Sequence, residues 1–184
     1  DSLFKREPER FIVTAVRFAL RPRAPATTRY AELVRQVPEN ASLANVRSAV
    51  LELRRRKSMV LDPNDPNHRS AGSFFLNPIV SDAEADRVIA QAVAEKLVRR
   101  PEDVPRYPAD HGRAKLAAGW LIERAGIAKG TRRGPIGVSS KHALALVHHG
   151  GGTTAELLSF ADEIRQRVHD RFGVSLEREP RLLV

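Results

Sequence analysis

A serine set between a turn and an apolar segment is the first group in this sequence placed to do chemistry. In RSAGSFFLNP, residues 69–78, Ser73 follows the small Ala71-Gly72 pair and precedes Phe74 and Phe75, and an Asn77-Pro78 stop comes soon after. Gly72 lets the backbone approach a neighbour closely. The two phenylalanines point to opposite faces of an extended segment, which Pro78 ends. A plain turn serine entering a buried strand accounts for these ten residues as well, since serine is a standard turn residue. At the far end, LEREPR places Glu177 and Glu179 on one face of a strand with Arg178 and Arg181 nearby, and surface ion pairing is the competing reading. His148 and His149 are adjacent, so on a strand they point apart and cannot share a metal. No Walker loop or GxGxxG is present. HHGGGTT ahead of a helix offers amides to a phosphate, although a three-glycine connector explains it equally. No Ser, His and Asp arrangement identifies a hydrolase.

The composition narrows the classes. With 184 residues, 42% apolar and 29% charged, the chain reads as a soluble globular protein with one sizeable core or two small ones. The richest apolar run, His142–Val147, is strand length and far short of the ~18 residues of a bilayer span, so no membrane partner is expected. Absence of cysteine excludes disulfides, thiolate metal sites and a cysteine nucleophile, and suits a reducing cytoplasm. The first residue is Asp1 rather than Met, so a processed or excised piece is expected. A net charge of +9 predicts attraction to polyanions, either nucleic acid or a small phosphorylated ligand. The Arg54-Arg55-Arg56-Lys57 cluster also fits a solvated helix end, and only 5% aromatics is poor material for a base-stacking platform.

The elements that must position these groups follow from periodicity and punctuation. Residues 11–21 alternate, with Ile12, Val16, Phe18 and Leu20 opposed to Arg17 and Arg21, and predict a strand. A Pro-rich connector leads to Tyr30 and a short helix. A stronger helix is expected from Ser42, its N-cap, to Lys57, with Leu43, Val46, Val50 and Leu53 as its stripe. Residues 61–72 read as loop and a candidate boundary. Ser81 and Glu84 form a capping box for a helix to about Val98, with Ala85, Val88, Ile89, Ala92, Val93 and Leu97 inward. Residues 99–113 read as a long polar loop carrying Tyr107, of the kind that forms lids. A helix over 115–125 ends at Gly126, and HALALV is a strand. Thr153 and Glu156 cap a last helix with Gly173 at its end, and a terminal strand follows. Strands interleaved with helices make the chain α+β or α/β.

Seven segments in this order, DSLFK, RYAEL, LRRRKSMVLDP, SAGSFFLNP, RYPADHGRAKLAAGWLIERAG, GVSSKHALALV and LEREPR, resemble the C-terminal half of the UDP-N-acetylenolpyruvoylglucosamine reductases of peptidoglycan precursor synthesis. The resemblance covers essentially the whole chain and is nearest to the type I subfamily, which has the tyrosine-bearing loop. It implies the C-terminal part of an FAD-binding α+β domain at 1–62, an α/β substrate-binding domain at 63–175, and a terminal strand, 176–184, returning to the FAD-binding domain. It implies FAD and NADPH as cofactors, a UDP-sugar enolpyruvate as substrate, an upstream FAD-binding half of the same enzyme as partner, and a cytoplasmic setting with no nucleic acid. By the same resemblance Ser73 is the proton donor, Glu179 assists the enol intermediate, Tyr30, Lys57, Asn77, Tyr107, Lys115 and His142 bind substrate, and Arg54 lies on the flavin side.

Some features depart from that pattern. The family's substrate-binding arginine would precede Asp1, and the flavin pyrophosphate segments lie outside this sequence, so this polypeptide alone is expected neither to hold FAD tightly nor to turn over. Ser58 stands where glycine commonly follows the lysine, and Pro180 is on the other side of Glu179 from its place in some members. The charge balance keeps a basic nucleic-acid-binding domain as the alternative, with steep salt dependence. A non-catalytic UDP-sugar binder is a third reading.

Overall fold

The computed structural model describes residues 2–7, 9–22 and 24–182, and the chain divides into two compact units, 1–49 and 50–184. The first unit holds helices α1, Leu3–Arg6, and α2, Ala31–Val34, together with the start of α3, Leu43–Arg56. The Ser42 hydroxyl accepts the Asn45 amide at 3.1 Å, the N-cap expected from sequence. Along the α3 stripe Val46, Val50 and Leu53 are half-buried and Leu43 is exposed.

The strand expected over 11–21 does not form. Its apolar residues are exposed, Ile12 to 91% and Leu20 to 85%, and among the described residues no segment pairs with 11–20. Alternation supplies a face, but a strand also needs a neighbour for its backbone groups, and the described residues offer this segment none.

The second unit carries β1, Ser70–Ser73; β2, Ile79–Ser81; α4, Asp82–Ala94; β3, Arg106–Ala109; β4, Arg113–Leu116; α5, Ala118–Arg124; β5, Arg132–Arg133; β6, Ile136–Val138; β7, Ala145–His148; and α6, Thr154–Phe172. One sheet has the order β1-β7-β6-β5 and the other β2-β4-β3, and every pairing in both is antiparallel. The chain is α+β, as expected.

Both predicted capping boxes are present, at Ser81/Glu84 and Thr153/Glu156, and Gly173 closes α6 at φ 64°. Between and beneath the sheets Phe75, Val88, Leu116, Leu121, Ile136, Ile164 and Phe172 form one core with Leu176. Ala85, Val88 and Ala92 are the buried residues of α4, whereas Ile89, Val93 and Leu97 are half-buried. That helix stops at Ala94 rather than Val98, and Lys96 then turns at φ 58°.

Residues 99–113 are not an unstructured loop. A 3-10 turn at Pro101–Asp103 leads into a hairpin in which Tyr107 pairs with Lys115 and Ala109 with Arg113. Arg106 holds it to α4 through Asp82 and, at 2.6 Å, Asp86. The hairpin consumes Lys115 and Leu116, so α5 starts at Ala118 rather than 115. Likewise β7 starts at Ala145 rather than His142. Of the terminal strand, the described part makes one antiparallel bridge, Phe75 to Arg178, and the last two residues lie outside the described chain. No helix among the described residues is long and apolar enough to cross a membrane.

Candidate active site

Ser73 ends β1 opposite Ala145 of β7. The following amide, of Phe74, donates to the Leu144 carbonyl at 2.7 Å, and the Phe74 carbonyl accepts the Glu179 amide at 2.9 Å. Leu76 donates to the Glu177 carbonyl at 2.9 Å. The serine segment is therefore held between two stretches distant in sequence, with Phe74 and Phe75, 4% and 1% exposed, as its apolar anchors. Ser73 is half-buried and Glu179 exposed. The Phe75–Arg178 bridge sets Glu179 opposite Phe74, one position from Ser73. A regular ladder would send the side chains of 73 and 179 to opposite faces, and the irregularity in this segment lies on its other side, against β7. Gly72 sits at φ 83°, and the β1–β7 register shifts between Ser70 and Ser73.

His142 and Lys57 come together in the second unit. The His142 Nδ1 accepts the Leu144 amide at 3.1 Å, which leaves the neutral ring's proton on Nε2 as a donor. Burial, and then the nearby charges of Lys57 and Lys129, hold this imidazole below its ordinary pKa. The Lys57 charge and a neutral N–H donor near it are a pair suited to phosphate oxygens, while Lys129 pairs with Glu123 at 3.6 Å. Lys57 follows the end of α3, where Arg54 Nε donates to the Met59 carbonyl at 3.2 Å and the Arg54 carbonyl accepts the Met59 amide at 2.8 Å. Those bonds turn the chain sharply at Ser58, whose φ of 55° is the left-handed conformation glycine takes without cost.

Tyr107 and Lys115 are cross-strand partners, and Ile79 pairs with Lys115 from the other side. The three share the sheet face away from α4, with Tyr107 51% exposed and Ile79 50%. Asn77 is committed through its Oδ1, which accepts the Ala118 amide at 2.9 Å and so caps the start of α5. Tyr30 precedes α2 in the first unit and is exposed.

Sequence reasoning missed the groups that fix the His142 loop. Asn67, 3% exposed, accepts the Ser140 amide at 2.9 Å and donates to Ser140 Oγ at 3.1 Å. Asp65 accepts the Lys141 ammonium at 2.9 Å. The DPNDPN composition signals loop, and nothing in it signals a partner some seventy residues on. Two surface clefts of about 430 and 410 Å³ lie along α6, one lined by Asp162, Arg165 and His169, the other by Arg133, Ser159 and Glu163. Neither is lined by a catalytic or binding residue expected from the sequence. No group of His, Cys, Asp and Glu among the described residues could hold a metal ion.

Comparison with known proteins places this arrangement. Residues 64–183 match the family model for the C-terminal domain of UDP-N-acetylenolpyruvoylglucosamine reductase. Curated proteins of that name from Thermobifida fusca and Saccharopolyspora erythraea are 51% and 49% identical over 97% and 94% of this chain, covering 51% and 48% of their own lengths. The protein of that name from Streptomyces coelicolor is 45% identical over 97% of the chain and 48% of its own length. The chain thus spans about half the length of the curated relatives it matches, and on the family-model match it belongs to the UDP-N-acetylenolpyruvoylglucosamine reductase family.

Proposed function

We propose that this chain is the substrate-binding and proton-donating half of a cytoplasmic reductase that converts a UDP-N-acetylglucosamine enolpyruvyl ether to the lactyl ether of UDP-N-acetylmuramate. The observation that carries the reading is the threading of the Ser73 segment between 144–145 and 177–179, which brings a hydroxyl and a carboxylate from opposite ends of the second unit onto neighbouring backbone segments. FAD, reduced by NADPH, would supply hydride to the terminal carbon of the enolpyruvyl group. Hydride addition leaves negative charge on the carbon next to the substrate carboxylate, and that centre must take a proton. Ser73 supplies it. A hydroxyl is a weak acid at neutral pH, but a carbanionic centre is basic enough to accept from it. Glu179 assists the enol form of the intermediate.

The remaining residues bind. Lys57 and Lys115 act as compact charges toward the diphosphate, and His142 adds a neutral donor. Tyr107, exposed on its sheet face beside Lys115, offers a ring to the uracil end. Asn77 contacts the substrate through the carboxamide nitrogen, its oxygen being used at α5. Arg54 would face the flavin side. Its side chain is exposed and its Nε is used within the turn, which leaves the terminal guanidinium nitrogens to meet an anionic cofactor, a chemical fit for FAD pyrophosphate. NADPH, another polyanion, draws on the same cations before the sugar binds, and the +9 charge needs no nucleic acid to explain it. In this reading 1–62 complete an FAD-binding domain contributed mainly by the upstream half, 63–175 bind substrate, and 176–184 return to the flavin domain.

The test is Ser73→Ala in the family-length protein. Flavin bleaching by NADPH is expected to persist while sugar reduction falls about 10²–10⁴-fold, the usual worth of a positioned general acid. Unchanged sugar turnover removes the proton-donor assignment.

A further inference from the structure

We propose that Asp65 is a positioning residue that sets the spacing between Lys57 and His142. The proposal rests on the reading of those two side chains as substrate contacts. Between 57 and 68 the fully buried residues are Ser58 and Asn67, both polar, while Leu61 is 86% exposed. This stretch is therefore held by directional bonds and not by apolar burial, and directional bonds fix a position more tightly. Asp65 is their hub. One carboxylate oxygen accepts the Asn67 amide at 2.9 Å and the Asn67 Nδ2 at 3.0 Å, and the other accepts Lys141 at 2.9 Å. Its backbone carbonyl accepts the His68 amide at 3.0 Å.

The carboxylate side chain is 9% exposed. Burial alone would oppose its charge, but the Asn67 amide and the Lys141 ammonium more than offset that, and the group stays ionised well below the usual carboxylate range. Ser58, in the turn after Lys57, is buried and at positive φ. The Ser58 hydroxyl makes no hydrogen bond of good geometry, yet its dipole bears on the Asp65 carboxylate.

The chain neighbours give the clamp its consequence. Ser58 adjoins Lys57, and Lys141 adjoins His142. Asp65 with Asn67 thus ties the turn carrying one proposed phosphate contact to the loop carrying the other, a span in which Asn67 and Ser140 are 73 residues apart. Loosening it would let the Lys57 ammonium and the His142 N–H drift relative to each other while leaving Ser73, held by β7 and 177–179, in place. Substrate affinity should suffer and the chemical step should not.

The experiment is Asp65→Asn in the family-length protein. KM for the enolpyruvyl UDP-sugar is expected to rise about 5–10-fold with kcat within about twofold, in line with disturbed charge-assisted hydrogen bonds. On a His142→Ala background the same substitution should add less than about twofold, since coupled residues are not additive. Lys141→Ala, at a side chain 44% exposed and so tolerant of change, should give the same split at smaller size. An unchanged KM, or full additivity with His142→Ala, overturns the proposal. A readout independent of turnover is the His142 ring titration by NMR without ligand. In Asp65→Asn it should move up toward an ordinary histidine as the loop hydrates, and an unmoved titration also overturns the proposal. If the unmodified protein fails to reduce the sugar, the substrate reading falls while the ring titration still decides the positioning role.

Discussion

Residues 11–21 and 70–76 are both short, apolar-bearing segments that read as strand from the sequence, yet they end differently. The first lies in the open with Ile12 91% exposed. The second is flanked on both sides, by β7 and by 177–179, and buries Phe75 to 1%. Both sequences invite a strand, the first by alternation more than the second; what differs is whether neighbouring backbone is available. A strand is a product of its partners, and β-propensity measures fit to a surface that must already exist. The candidate chemistry sits on the segment with two neighbours, where a hydroxyl can be held against a fixed frame.

The sharpest way to break this contrast is a matched pair of truncations. Phe75→Ala should cost about 3–5 kcal/mol of unfolding free energy by urea denaturation. Ile12→Ala should stay within about 0.5 kcal/mol, as an exposed position does. Comparable losses at the two sites would show that 11–21 is packed in solution.

A pH series sharpens the second unit's side of the comparison. His142 has a folded pKa below its unfolded value, so the unfolded chain binds protons first, and stability should fall as pH drops below about 6.5. Asp65 also has a lowered folded pKa. Its contribution is present above the unfolded carboxylate range and is lost as pH falls through and beneath that range, about pH 4 and lower. His142→Gln should reduce the upper limb, which His149 shares, and Asp65→Asn should reduce the lower limb together with part of the upper one, since it lets the His142 titration rise. A single limb insensitive to both would refute the two assignments.

The smallest effect concerns the turn behind Lys57. Ser58→Gly relieves a left-handed φ and removes a buried hydroxyl without a well-formed hydrogen bond, so stability should rise by up to about 1 kcal/mol and Tm by about 2–4 °C. A lower Tm would mean that the hydroxyl's influence on Asp65 outweighs the backbone strain.

Local signals in the sequence were read well where the physics is local. Both capping boxes and the Gly173 terminus satisfy helix ends with groups three or four residues away, and the body of α3 follows from its own periodicity. The tyrosine hairpin was not legible because Arg106–Leu116 is polar and carries a proline, and its strand character comes from pairing with β2 and from Asp82 and Asp86 on α4. Early endings of α4 and late starts of α5 and β7 reflect the same competition for backbone groups.

By itself the sequence determined the helices of the second unit, the α+β class, the cationic balance and the candidate donors and cations from which the proposed site is drawn, because each depends on residue type and near neighbours. Only the tertiary structure decided that 177–179 would lie against 74–76, that Asn67 and Asp65 would clamp 140–141, and that no described segment would pair with 11–20. Those outcomes depend on which distant backbone groups reach one another, and a hydrogen bond across seventy residues leaves no periodicity in either segment that makes it.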